Sequence, residues 1–121
     1  MKNKNIVAIG GGGFGRSLGA LKIEKYITTL VKKDRPKICF LPTASGDNDL
    51  YKLNFYRAFS KLNCMTSHID FFSRTEDLEK KVLSQDIIYV GGGNTKSMLA
   101  VWKEWQLDKI LKNAYENGIV M

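Results

Sequence analysis

An α/β domain built on a doubly wound parallel sheet, in three layers α/β/α, is the fold class this sequence predicts, on three observations. Short apolar runs alternate with segments whose apolar residues recur at helical spacing along the whole chain. The runs Ile6-Val7-Ala8-Ile9 and Ile87-Ile88-Tyr89-Val90 pass directly into glycines, as buried parallel strands do where they turn into a helix. The length of 121 residues suits a single domain over residues 1–121 with one core.

The elements follow in order. Asn5 to Ile9 is a short apolar run ended by glycine and is expected to be the first strand. Ile23, Tyr26, Ile27, Leu30 and Val31 recur at helical spacing, and Arg35-Pro36 stops that helix. Lys37 to Pro42 is the second strand. Leu50, Leu53, Tyr56, Phe59 and Leu62 share one helical face, so Leu50 to Leu62 is the second helix, with Asp47, Asn48 and Asp49 as capping candidates. Met65 to Phe72 is the third strand. Thr75, followed by acidic residues, is placed to cap a third helix that ends near Ser84. Asp86 to Val90 is the fourth strand, and a helix through Met98, Leu99 and Trp102 follows it. Leu107, Ile110, Leu111 and Ala114 line another helix, closed by Asn117-Gly118. Ile119-Val120-Met121 begins a fifth strand, so the sheet is expected to be incomplete at its C-terminal end.

Composition narrows the class of function. Apolar residues at 44% and charged residues at 26% are ordinary for a soluble globular protein. No apolar run approaches the roughly 20 residues needed to span a bilayer, and the four-residue apolar run Ile6 to Ile9 before the first glycines is too short for a signal peptide, so a cytoplasmic location is expected. The net charge of +7 comes from lysines spread over most of the helices rather than gathered on one. That pattern predicts a solvated surface, with no nucleic-acid partner. Cys39 and Cys64 lie in apolar segments with no metal-ligand spacing, so they are expected to be buried free thiols, with no metal bound.

The stretch Gly10-Gly11-Gly12-Gly13-Phe14-Gly15-Arg16-Ser17 fits both the dinucleotide fingerprint and, but for Arg16, the Walker A loop. Neither pattern is completed. The strand ending in Leu41-Pro42-Thr43 carries no acid for a ribose, and arginine's rigid fork does not replace the compact ammonium of a Walker lysine. The expected role of this run is a tight turn with close backbone approach, and no cofactor is expected.

The second run, Val90-Gly91-Gly92-Gly93-Asn94-Thr95, delivers glycines at the carboxyl end of a strand, the edge where sheets of this kind bind ligands. Successive glycine N–H groups there suit a phosphate, a carboxylate or the developing oxyanion of acyl transfer. Together, Ile6-Val7-Ala8-Ile9-Gly10-Gly11-Gly12, then Ile38-Cys39-Phe40-Leu41-Pro42-Thr43-Ala44-Ser45, then Ile87 to Thr95 resemble the first half of the peptidase E family of serine peptidases. That family includes aspartyl dipeptidase and cyanophycinase, within the class I glutamine-amidotransferase-like fold. The resemblance covers the whole chain, and GGGNT is its most specific part.

The resemblance implies the N-terminal portion of a larger peptidase domain that hydrolyses peptide or isopeptide bonds next to acidic residues. It implies Gly93 as an oxyanion-hole donor, with Gly92, Asn94, Thr95 and Ser45 as substrate-binding neighbours, Asn94 and Thr95 serving as wall or helix-cap residues. The family's nucleophile elbow would place its serine about four residues beyond Met121. By that alignment the nucleophilic serine and the triad histidine are absent from this chain, which is expected to be inactive alone. Its partners would be a small peptide substrate for the complete domain and, through self-association or pairing, a second copy or the missing half. A non-catalytic α/β module that binds a small anion or a nucleotide is the alternative. His68, the only histidine, is expected to be structural, and Ser45 to make a loop hydrogen bond or a substrate contact.

Overall fold

Ile38, Cys39, Phe40 and Leu41 are almost wholly inaccessible to solvent, as residues of a central parallel strand must be when both faces of the sheet are covered. The computed structural model describes residues 3–11, 13, 14 and 21–121, and these four residues belong to its strand β1 (Lys37–Leu41). β2 (Met65–His68) and β3 (Ile87–Val90) pair with its two sides, both parallel, so that Cys39 stands opposite Ser67 on one side and Ile88 on the other. Alternate residues supply opposite faces. Ile38, Phe40, Ile87 and Tyr89 pack with α1 (Lys22–Thr29) and α2 (Asp49–Phe59) through Ile27, Phe55, Ala58 and Phe59. Cys39, Leu41 and Ile88 pack with α3 (Leu78–Leu83), α4 (Thr95–Glu104) and α5 (Leu107–Glu116) through Val82, Met98, Trp102, Leu107 and Ala114. The expected three-layer α/β arrangement is therefore present.

The division of helices between the faces follows from crossover handedness. The chain leaves β1 outward to β2 by way of α2, then returns past β1 to β3 by way of α3. Reversing direction while keeping right-handed connections transfers the helix to the other face. The carboxyl ends of β1 and β3 consequently flank the point where the strand order reverses, which is where such sheets bind ligands.

Several elements differ from expectation. Asn5 to Ile9 is not a regular strand: its backbone meets Met121, which donates to the Asn5 carbonyl at 3.2 Å and accepts from the Val7 N–H at 2.7 Å. Ile119 to Met121 likewise forms one parallel bridge, Val120 with Ile87, rather than a strand. One pair of bonds in each case falls short of the repeated pairing that a ladder requires. The third strand ends at His68 instead of Phe72, because Asp47 Oδ2 accepts from the N–H groups of Phe71 at 2.8 Å and Phe72 at 2.9 Å and turns the chain off the sheet. Thr75 does not cap the third helix. Its hydroxyl donates to the Asp70 carbonyl at 2.7 Å, and the helix opens at Leu78 behind Asp77.

The second helix is rotated from its expected face. Leu50 and Leu53 are 64% and 46% exposed, whereas Phe59, also of the expected face, is buried together with Phe55 and Ala58 beside it. Aromatic rings bury more apolar area than leucines, so the helix turns Phe55 and Phe59 inward. Their common neighbour is Phe14, which stands within the first glycine run and is 1% exposed. The Phe14 ring lies 4.9 Å from Tyr89, 5.5 Å from Phe40 and 5.5 Å from Tyr51, centroid to centroid. Gly13, at φ +86°, makes this insertion possible, since a Cβ there would come within 2.9 Å of the Tyr89 hydroxyl oxygen. Both cysteines are buried free thiols, as expected.

Candidate functional site

After β1 the segment Pro42-Thr43-Ala44-Ser45 folds into a single 3-10 turn. The Ser45 N–H and hydroxyl both donate to the Pro42 carbonyl, at 3.2 and 2.9 Å, and Asp47 N–H joins them at 3.1 Å. Thr43 is buried, and its hydroxyl accepts from the Trp102 indole N–H at 2.9 Å, which ties the turn to α4. Ser45 Oγ also accepts from the Asn48 N–H at 3.4 Å. Its hydroxyl therefore serves the loop, one of the two roles expected of it.

The glycine turn after β3 lies against this one, and its amides have separate destinations. Gly91 N–H donates to the Leu41 carbonyl at 3.1 Å and Asn94 N–H to the Ala44 carbonyl at 2.7 Å. Gly92 N–H donates to the Tyr51 hydroxyl at 3.2 Å. Gly93 N–H has no partner among the described residues. Gly93 sits at φ +147°, and a Cβ on it would collide with the Ala44 carbonyl, so only glycine lets the two turns approach this closely. Asn94 is the N-cap of α4, its Oδ1 accepting from the Ser97 N–H at 3.0 Å. Thr95 is the first residue of α4 and is exposed.

The structure thus brings Ser45, Gly92, Gly93, Asn94 and Thr95 together at the carboxyl edge of the sheet. Sequence reasoning missed Thr43 and Tyr51. Thr43 was legible as the polar residue of a strand end, but Tyr51 carried no motif. A cleft of about 550 Å³ runs from Gly92 and Gly93 past Tyr51 and Tyr89 to Ile27 and Met121. Burial in this region, with Tyr51 and Glu24 nearby, pushes the Tyr89 phenol far up from its ordinary value, so it stays protonated.

His68 is placed elsewhere, on the edge strand β2. Its Nδ1 is 2.6 Å from the Tyr56 hydroxyl and its Nε2 3.5 Å from Asp70 Oδ2, while Lys52 Nζ reaches Asp70 Oδ1 at 3.0 Å. These contacts give the histidine the structural role expected. Of the first glycine run, Gly12 and Gly15 to Ser17, including Arg16, lie outside the described residues. Among the described residues no group of three or more His, Cys, Asp or Glu could hold a metal ion, and no helix is long and apolar enough to cross a membrane.

A parallel α/β sheet covered on both faces, with a glycine turn and an amide that has no partner among the described residues at its switch point, defines the class of open α/β folds, in which ligands commonly bind outside the carboxyl ends of the strands. The chain belongs to peptidase family S51, whose description matches residues 6–121. It is 49% identical over 119 residues to the uncharacterized peptidase YgaJ of Bacillus subtilis (strain 168), covering 98% of this chain and 52% of that protein. A crystal structure of a Listeria monocytogenes EGD-e protein provisionally assigned as peptidase E superposes with a TM-score of 0.71 at 22% identity, over 99% of this chain and 56% of that one. The latter likeness shows the fold. The chain spans about half the length of the relatives it matches.

Proposed function

We propose that this chain forms one wall of a serine-peptidase site that hydrolyses peptide or isopeptide bonds beside acidic residues. Gly93 supplies a backbone N–H to the oxyanion. The observation that carries the reading is the amide accounting of the glycine turn: its neighbours are committed to the protein, and Gly93 N–H is left for a ligand at the switch point. In this reading a serine attacks the scissile carbonyl and a histidine takes its proton. The negative charge that develops on the carbonyl oxygen is stabilised by Gly93 N–H and by the amide after the serine. Gly92, Thr95 and the Ser45 turn bound the substrate, and Asn94 acts as cap rather than as a donor to it.

In this reading the serine and histidine come from outside these residues, and the local bonds of Ser45 to the Pro42 carbonyl and of His68 to the Tyr56 hydroxyl support it. The same reading makes a partner surface of the apolar cleft lined by the exposed Ile6 and Val90 and by Met121, either for a second copy or for the remaining half of a peptidase.

Aspartate release from Asp-containing dipeptides tests this. The chain alone is expected to give none. Joined to the part of the Bacillus relative that it does not span, it is expected to hydrolyse them. Turnover by the purified chain alone that vanishes on Ser45→Ala would make Ser45 the nucleophile and overturn the assignment.

A further inference from the structure

Tyr51 occupies the first turn of α2, where Asn48 Oδ1 accepts its N–H at 2.9 Å. Its ring is held on two sides, 4.9 Å from Phe40 and 5.5 Å from Phe14. Gly91 gives the rings their room, because a Cβ on it would lie 2.9 Å from both Tyr51 Cε2 and Phe40 Cε1. A ring fixed in this way holds its hydroxyl at one place, and that place is 3.2 Å from the Gly92 amide nitrogen.

The peptide units around Gly92 and Gly93 carry no side chains that would restrain them. Gly92 and Gly93 are both exposed, and glycine dihedrals are the least restricted of any residue. Unless something holds the Gly92 N–H, the turn can rotate and the Gly93 N–H loses its direction. Backbone bonds fix the turn on either side, through Gly91 to Leu41 and Asn94 to Ala44, but nothing on the backbone fixes its middle. Among the described residues the Tyr51 hydroxyl does so alone.

We propose that Tyr51 is a positioning residue for the oxyanion donor: by accepting the Gly92 N–H it holds the glycine turn with the Gly93 N–H presented to substrate. This rests on the peptidase reading of the site. An oxyanion donor acts through preorganisation, so loosening its turn weakens transition-state binding more than ground-state binding.

The experiment uses Tyr51→Phe, which keeps the ring and removes only the hydroxyl. In the chain itself, the Gly92 and Gly93 amide resonances are expected to shift and the Gly92 N–H to exchange faster with solvent, while the melting temperature falls by no more than about 4 °C. In the peptidase assembled with the remainder of the Bacillus relative, kcat is expected to fall about fivefold to tenfold, the effect of one net hydrogen bond, with KM unchanged. Gly92 and Gly93 amides that do not respond overturn the inference, whatever the activity. Amides that respond in an enzyme whose kcat is unchanged, or whose KM alone rises, overturn it as well. Failure of the peptidase reading shows separately, as absence of hydrolysis by the unsubstituted assembly while the two amides still respond to the substitution.

Discussion

Replacing Thr43 with valine removes one hydroxyl at constant shape from the joint between the two turns of the site. Thr43 is 3% and Trp102 7% exposed, and their hydrogen bond at 2.9 Å is the indole's partner. Valine leaves the indole N–H buried with no acceptor, which costs about 1–3 kcal/mol. For a chain of this size roughly 4 °C of melting temperature goes with each kcal/mol, so Thr43→Val is expected to melt about 4–12 °C lower. Urea denaturation followed by circular dichroism gives the free energy directly. Trp102→Phe removes the donor as well as some packing, and the double variant is expected to lose less than the two single losses added together. The coupling should be about 1 kcal/mol or more. A loss below about 0.5 kcal/mol for Thr43→Val, with the two substitutions additive, would show that the bond contributes nothing to holding the walls together.

Three further outcomes are expected. Burial opposes the charge on Asp86, but the Lys33 ammonium at 2.7 Å and the Lys37 N–H at 2.8 Å outweigh it and hold its carboxyl below the ordinary value of 3.8. Its contribution to stability is then complete above pH 3.8 and is lost as pH falls through the lower folded value, so acid unfolding of Asp86→Asn should be shallower in that window; equal slopes would refute this. Burial pushes the Cys39 thiol up to about 11, against the opposing effects of Ser67 and Lys81, so iodoacetamide at pH 8 should label it only after unfolding. The apolar cleft lined by the exposed Ile6 and Val90 and by Met121 should drive self-association, read by light scattering against concentration, and a monodisperse monomer at all concentrations would count against a partner surface there.

What the sequence determined by itself was whatever is settled within one turn or by periodicity. Alternating apolar runs and helical stripes specify layers, because a strand or helix must bury its apolar face whatever lies opposite. Asn94 as a cap was legible, since its bond to Ser97 spans only three residues. GGGNT marked the carboxyl edge of the sheet for a similar reason: glycines at a strand's carboxyl end are a local pattern with a fixed place in this fold. The tertiary structure decided which polar groups found partners. Tyr51 meets Gly92 from 41 residues away and Thr43 meets Trp102 from 59, and no local rule ranks those pairings above their alternatives. The third strand stops at His68 because Asp47, 24 residues from Phe71, captures the next amides. Phe14 looked like part of a phosphate loop and became a core residue once α1, α2 and the sheet enclosed it. Each of these depends on strand order and helix rotation together, and so on the packing of the whole chain rather than on any segment of it.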